Sequence, residues 1–503
     1  MSLNRNILAN YVSQFYVAAV GIAMVPMYVR YMGAESYGLV GFFAVLQTWF
    51  QLLDMGLTPT LARETARFNS NEKNAAFELR SLLRSLEGIF IGIAVLGAGA
   101  MIVGSNIIAS SWLKVQQLSL AEVENAIMLM AVIVALRWMC GLYRGAINGF
   151  ERLVWLSGVN IVLATVRFVL VVPFLMFVGA TPTHFFGYQL VVAIVELFIL
   201  ATHTYRLLPK LHSDQRVRWQ CAPLYGVLKF SLSMTFVNVF WVIGMQADKL
   251  VLSKILPLEE YAYFTLAVMM AGGIGLLGAP ISIALMPRLT KLSAEGNETS
   301  VIDLYRETTQ LLGVIVIPAA LVMAFFAEQI LWAWTGNADI AHRVTPVLRL
   351  YALGNGIAAL GAFPYYLQFA KGDLKLHVIG TTLFSLSLIP AVIFATQEYG
   401  VTGAGYAWLA VNTIYFFVWV PKVHGRFVQG LHFKWVLQDV GIIILLTSVA
   451  AAVLYWSVAL PTMRLQVALS IGVISAVLFC VSIASSSQMR EKIAKRWRLR
   501  FGS

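Results

Sequence analysis

"YMGAESYGL", Tyr31 to Leu39, and "ILPLEEYAY", Ile255 to Tyr263, stand 224 positions apart, and each places an acidic residue two before a tyrosine: Glu35 and Tyr37, then Glu259 and Tyr261. At the same offset Arg30 falls opposite Lys254, Arg67 opposite Lys291 and Leu8 opposite Leu232. Farther on, "NGFER" (Asn148–Arg152) lies within a residue or two of register with "FAKGD" (Phe369–Asp373). These recurrences predict an internal duplication. The text between them says what is duplicated.

That text is apolar. Of the 503 residues 59% are hydrophobic and only 12% charged, about half the charge of a soluble globular chain. A membrane-crossing helix needs roughly 20 mostly apolar residues. Windows of that size predict fourteen spans, near 8–29, 37–57, 86–106, 123–143, 153–178, 184–205, 224–247, 261–285, 307–327, 344–366, 376–396, 402–421, 436–457 and 465–485. Hydrocarbon offers backbone groups no partner, so a span is a helix or a strand of a closed barrel. Barrel strands alternate polar and apolar residues, whereas these runs are continuous. The expectation is an all-α integral membrane protein of about 14 transmembrane helices.

The repeat then spans helices one to six and seven to twelve. Six is an even number, so both copies face the membrane the same way, the parallel-repeat case of transporters. Expected boundaries are 1–215 for an N-lobe, 216–427 for a C-lobe, 428–487 for two helices outside the repeat and 488–503 for a basic tail. Two such bundles enclose a cleft that rocking exposes to each side in turn.

Placement of the basic residues tests the span count. Assigned alternately to the two sides, 26 of the 36 Lys and Arg residues fall with the termini and 6 on the opposite face. Such asymmetry predicts both termini in the cytoplasm. The first run lacks a small-residue cleavage site, so it reads as a retained span. The tail "REKIAKRWRLRF" suits anionic lipid headgroups better than nucleic acid. Three separated cysteines, Cys140, Cys221 and Cys480, indicate neither a disulfide framework nor a metal site. Loops of the opposite face are short, the longest near 106–122 and 328–343, which leaves no room for a catalytic domain.

Function should then be legible in the ionisable residues that the spans tolerate, each costing roughly 2.5–3.5 kcal/mol to insert. Arg137, Arg167, Lys229 and Arg349 remain outside both tallies. Arg137 in "VALRWMCGLYRGA" and Arg167 in "LATVRFVLVVP" are too central to snorkel. Either they pair with a carboxylate, Glu196 or Glu87, or they line a wet cavity. Arg349 and Arg30 join them as candidate substrate-binding cations. Asp248, Lys249, Glu196 and Asp54 are candidates for ion coupling or gating. Asp248 and Lys249 are adjacent and point about 100° apart on a helix; Asp54 could equally cap a helix. Excess cation implies anionic cargo, and the arginine fork suits phosphate.

Three stretches resemble a known family: "VPMYVRYMGAESYGLVGFFAVLQTWFQLLDMGLTPTLARETAR" (Val25–Arg67), "YRGAINGFERL" (Tyr143–Leu153) and "QADKLVLSKILPLEEYAYFTLA" (Gln246–Ala267). They are similar to polysaccharide transporters, the Wzx-type O-antigen flippases of the multidrug/oligosaccharidyl-lipid/polysaccharide (MOP) exporter superfamily. The resemblance implies a MATE-like fold of two pseudo-symmetric six-helix lobes around a cationic cavity. It implies a flippase, not an enzyme, that carries oligosaccharide units on undecaprenyl pyrophosphate from the cytoplasmic to the periplasmic leaflet of the bacterial inner membrane. Arg137, Arg167 and Arg349 would hold the pyrophosphate or acidic sugars, without a bound cofactor. Expected partners are that lipid-linked oligosaccharide, membrane lipids, H+ or Na+ as coupling ion and polysaccharide assembly proteins. A drug/cation antiporter and a lipid II flippase are the alternatives within the superfamily; a glycan polymerase or ligase is the alternative from another class.

The charge asymmetry generates a topology test. Alkaline phosphatase inserted between 106 and 119 should be active, and green fluorescent protein fused after Ser503 should fluoresce. The reverse pattern would invert the assigned orientation.

Overall fold

The computed structural model describes residues 3–54, 56–67, 75–209, 242, 244 and 246–491. These residues are helical almost throughout and contain no strand. Twelve helices among them are long and apolar enough to cross a membrane. The longest, Lys375–Phe427, covers both runs expected at 376–396 and 402–421. Gly400 interrupts it at φ 59°, ψ −145°, a backbone region open to glycine and strained for other residues. The run expected at 224–247, with Lys229, lies mainly outside the described residues.

Two compact units divide the chain, Met1–Ala262 and Tyr263–Ser503. The boundary expected at 215/216 lies in the stretch 210–241, outside the described residues. In the first unit we label α1 (Leu3–Met32), α2 (Ala34–Gln51), α3 (Leu57–Arg67), α4 (Ala75–Val103), α5 (Leu120–Gly149), α6 (Leu153–Ala164), α7 (Val171–Phe177) and α8 (Pro182–Leu207). A π-helical turn, Thr165–Val169, joins α6 to α7. The α5 helix is the hub, packing against α2, α3, α4 and α8.

Close approach of α3 to α5 has a sequence cause. Gly141, Gly145 and Gly149 recur every four residues along one face of α5, the spacing at which small residues let membrane helices touch. A Cβ on Gly145 would lie 2.8 Å from the Thr58 carbonyl oxygen, and one on Gly149 would lie 2.5 Å from that of Ala62. The sequence motif "ESYGL" does structural duty of another kind. Glu35 is buried, and its carboxylate accepts the backbone N–H groups of Gln116, Gln117 and Leu118. One side chain thereby satisfies three consecutive donors and fastens a loop to the start of α2. Tyr37 and its counterpart Tyr261 are both buried.

In the second unit α9 (Leu258–Ala294), which starts just before the unit boundary, leads to α10 (Glu298–Phe325). There follow α11 (Ala327–Thr335), α12 (Ala338–Gly361), α13 (Phe363–Ala370), α14 (Lys375–Ile414) and α15 (Val420–Phe427). The last two long helices are α16 (Ile442–Ser457) and α17 (Arg464–Ser485). Although these two stand outside the expected repeat, Ile443, Ala451, Ile474 and Leu478 belong to the same buried apolar core as α10. A polar clasp closes the joint. Asp439, fully buried in the π-helical stretch Trp435–Gly441, accepts from Arg306 at 2.7 and 3.1 Å and from Gln310 at 2.6 Å. The Gln310 carbonyl in turn accepts from the Ser486 hydroxyl (2.6 Å) and the Gln488 N–H (3.1 Å). Beside it Trp435 donates its indole N–H to Thr309 at 3.0 Å.

Two stability predictions follow from this packing. Asp439→Asn leaves Arg306 without its counter-charge and should cost about 3 kcal/mol, read as a lowered thermal unfolding midpoint of the detergent-solubilised protein. Gly145→Val forces α3 off α5 and should lower the same midpoint and the yield of monodisperse protein. An unchanged midpoint in either variant would show that the contact does not hold its helices.

Candidate functional site

Polar side chains at membrane depth gather on one face of α5. Arg137 donates from Nη2 to the Gln189 carbonyl oxygen of α8 at 2.8 Å. Seven residues on, Arg144 donates from Nη2 to Glu196 at 2.6 Å. Both helices advance by seven residues between the two contacts, about 10.5 Å of rise. They therefore run in the same direction, as two spans separated by one must. Arg144 also donates to Asn160 of α6. Glu87 of α4 is also buried and accepts from the hydroxyls of Tyr143 (2.9 Å) and Tyr205 (2.8 Å).

The π-helical turn delivers the second mid-membrane cation. Its widened bond runs from the Leu170 N–H to the Thr165 carbonyl. The carbonyls of Val166, Arg167 and Phe168 each accept from a side chain: Tyr188 at 2.8 Å, Gln189 at 3.0 Å and Tyr28 at 2.6 Å. Such satisfaction is what allows irregular backbone to persist at membrane depth. The Arg167 guanidinium rests 4.6 Å from the centre of the Phe168 ring, and that of Arg137 rests 5.4 Å from Phe43.

Both guanidiniums retain an unsatisfied Nε, with no acceptor within hydrogen-bond reach among the described residues. Nor does either form an ion pair there, since Glu196 is taken by Arg144 and Glu87 by two tyrosines and Arg84. The two carboxylates expected as partners thus serve other groups. Arg137, Arg144 and Arg167 line one cavity of about 540 Å³ together with Gln47, Gln51, Asp54, Thr58, Pro59, Val134, Trp138, Gly141 and Glu196. Trp138 forms part of its wall, stacked at 4.1 Å on Phe90. All of these residues belong to the first unit.

Asp54 lies on the lining but is already engaged. It accepts from the Thr58 N–H at 3.2 Å and hydroxyl at 2.6 Å, which is capping geometry at the start of α3. The glycine face of α5 brings that capped end to the cavity. Arg349 sits on α12 of the second unit, also with an unpartnered Nε, and is not among the lining residues. Arg30 is exposed in the last turn of α1 and likewise absent from the lining. Asp248 is buried, and the Lys249 ammonium folds back to 3.7 Å from it. Sequence adjacency had implied divergent directions for these two; four flexible methylenes let the lysine return. Neither lines the cavity.

Sequence reasoning missed Arg144, counting it among the loop cations, and missed Gln189. The signal was present: 137 to 144 and 189 to 196 are matching seven-residue steps, which a helix folds onto one face.

A profile of the family described as "Polysaccharide biosynthesis protein" matches residues 3–293, more than half of the chain. A Shigella flexneri protein named "Putative O-antigen transporter" is 18% identical over 411 residues, covering 81% of this chain and 94% of that protein. Among solved structures, lipid II flippase MurJ in an inward closed conformation superposes with a TM-score of 0.72 at 13% identity, covering 95% of this chain and 98% of that one. An inward-facing multidrug resistance MATE family transporter of the MOP superfamily reaches 0.65 at 15% identity, covering 81% and 94%. At such identities the structural likenesses establish a shared helical membrane fold. The matched profile does more: the chain belongs to the polysaccharide biosynthesis protein family.

Proposed function

We infer that this chain is a flippase for lipid-linked oligosaccharides, moving undecaprenyl-pyrophosphate-borne O-antigen or exopolysaccharide repeat units from the cytoplasmic to the periplasmic leaflet of the bacterial inner membrane by alternating access. One observation carries the reading: two mid-membrane guanidiniums, Arg137 and Arg167, line a cavity with no carboxylate paired to either among the described residues. A desolvated guanidinium is costly unless something anionic visits it, and its fork matches phosphate. The family membership and the O-antigen transporter relative support the same substrate class. The lining also offers Gln47, Gln51 and Trp138, groups able to hydrogen-bond or stack on sugars. Transport makes no bond, so the chain is a carrier and not an enzyme.

The alternative of a drug/cation antiporter calls for the opposite charge. Three arginines face two acidic residues on this lining, and both of those are engaged, Asp54 in a cap and Glu196 with Arg144. Coupling to H+ or Na+, with Asp248 as the buried carboxylate, belongs to the same proposal.

Arg137→Ala and Arg167→Ala should each cut surface polysaccharide at least tenfold when supplied to a deletion strain at wild-type expression levels. Lipid-linked intermediates should accumulate in the same cells. Full restoration by both variants would overturn the cationic-cavity reading.

A further inference from the structure

The third arginine of the cavity is occupied. Arg144 holds Glu196 at 2.6 Å while its two neighbours pair with no anion among the described residues, so Glu196 is the one of the two lining carboxylates that holds a guanidinium. We propose that Glu196 is a resident counter-anion of the cavity, which occupies Arg144 when the site is empty and is exchanged for the phosphate of an arriving ligand.

Geometry supports exchange over a fixed clamp. Glu196 is buried, yet it lies on the cavity lining beside Arg144, which is about a third exposed. Three guanidiniums lie within its electrostatic reach: Arg144 and Arg137 from α5 and Arg167 from the π-helical turn. Asp54, the other acidic residue of the lining, is tied to Thr58 and is not free to compete. Arg144 keeps a second partner, Asn160 of α6, which would hold the guanidinium in place while the carboxylate leaves.

The consequence is a limit on affinity. A phosphate that binds Arg137 and Arg167 must face the Glu196 charge until it displaces it, and like charges so close cost a large fraction of the gain. A carrier that must release its cargo on the far side benefits from such opposition, because binding energy that is too strong traps the ligand. Without Glu196 the site would bind phosphate more tightly and turn over more slowly. The inference rests on the flippase reading only for its natural ligand; the exchange itself concerns phosphate.

The test uses the purified full-length protein with inorganic pyrophosphate and with farnesyl pyrophosphate as probes. Glu196→Gln still accepts the Arg144 hydrogen bond but has no charge. It should bind both probes at least tenfold more tightly than wild type, and Glu196→Asp should bind them as wild type does. In the wild type, adding pyrophosphate should perturb a carboxylate band in the infrared difference spectrum, a measurement that stands even if the Gln variant does not fold. Equal affinity of the Gln variant and wild type, or a silent carboxylate band, would overturn the exchange. Absence of pyrophosphate binding to any form would also overturn it. None of these results bears on the Arg137→Ala and Arg167→Ala complementation, so the flippase reading stands or falls separately.

Discussion

Hydrocarbon supplies no hydrogen bond, so every polar group that this chain carries into the membrane must find its partner within the protein or within water that the protein encloses. The first unit is arranged around that constraint. Arg137, Arg144, Gln189 and Glu196 form two rungs between α5 and α8, and the carboxylate of Glu87 is spent on Tyr143 and Tyr205. What remains after this pairing is the charge that faces the cavity. Two of its guanidiniums each keep a buried Nε without a partner among the described residues, because the carboxylates near them are already committed. Function, on this view, is the part of the polar inventory that folding left unspent.

Helical membrane architecture could be read directly from the sequence, because twenty apolar residues in a row have few other uses. At Gly400 two helices meet across a kink, between the runs expected at 376–396 and 402–421. The site was legible in part. Arg137 and Arg167 announced themselves by depth, and Asp54 by its place before "MGLTP". Arg144 did not, because a tally of charges by loop discards the helical phase that puts it two turns from Arg137. Glu196 was recognised as an acid at depth, but its partner Arg144 was not among the arginines weighed for it. Partner choice depends on rotation between packed helices, and α5 and α8 settle it through contacts made 52 residues apart in sequence.

The second unit shows the same economy with a structural outcome. Helices α16 and α17 lie beyond the expected repeat, yet they bury their apolar faces against α10 and share its polar clasp through Asp439 and Gln310. Asp439 is the one fully buried acidic residue of this joint, and its partner Arg306 had counted as a loop cation. The pair is therefore built into the core of its unit and is not a loose appendage.

The π-helical turn at Thr165–Val169 carries a further implication. Such a turn is a helix holding one residue more than its α-helical phase allows. The surplus residue rotates everything after it, and Arg167 sits inside it. Three side chains from α1 and α8 have been recruited to meet the carbonyls it displaces. Gain or loss of a single codon just ahead of Arg167 would thus turn its guanidinium toward or away from the chamber in one step, and would turn α7 with it.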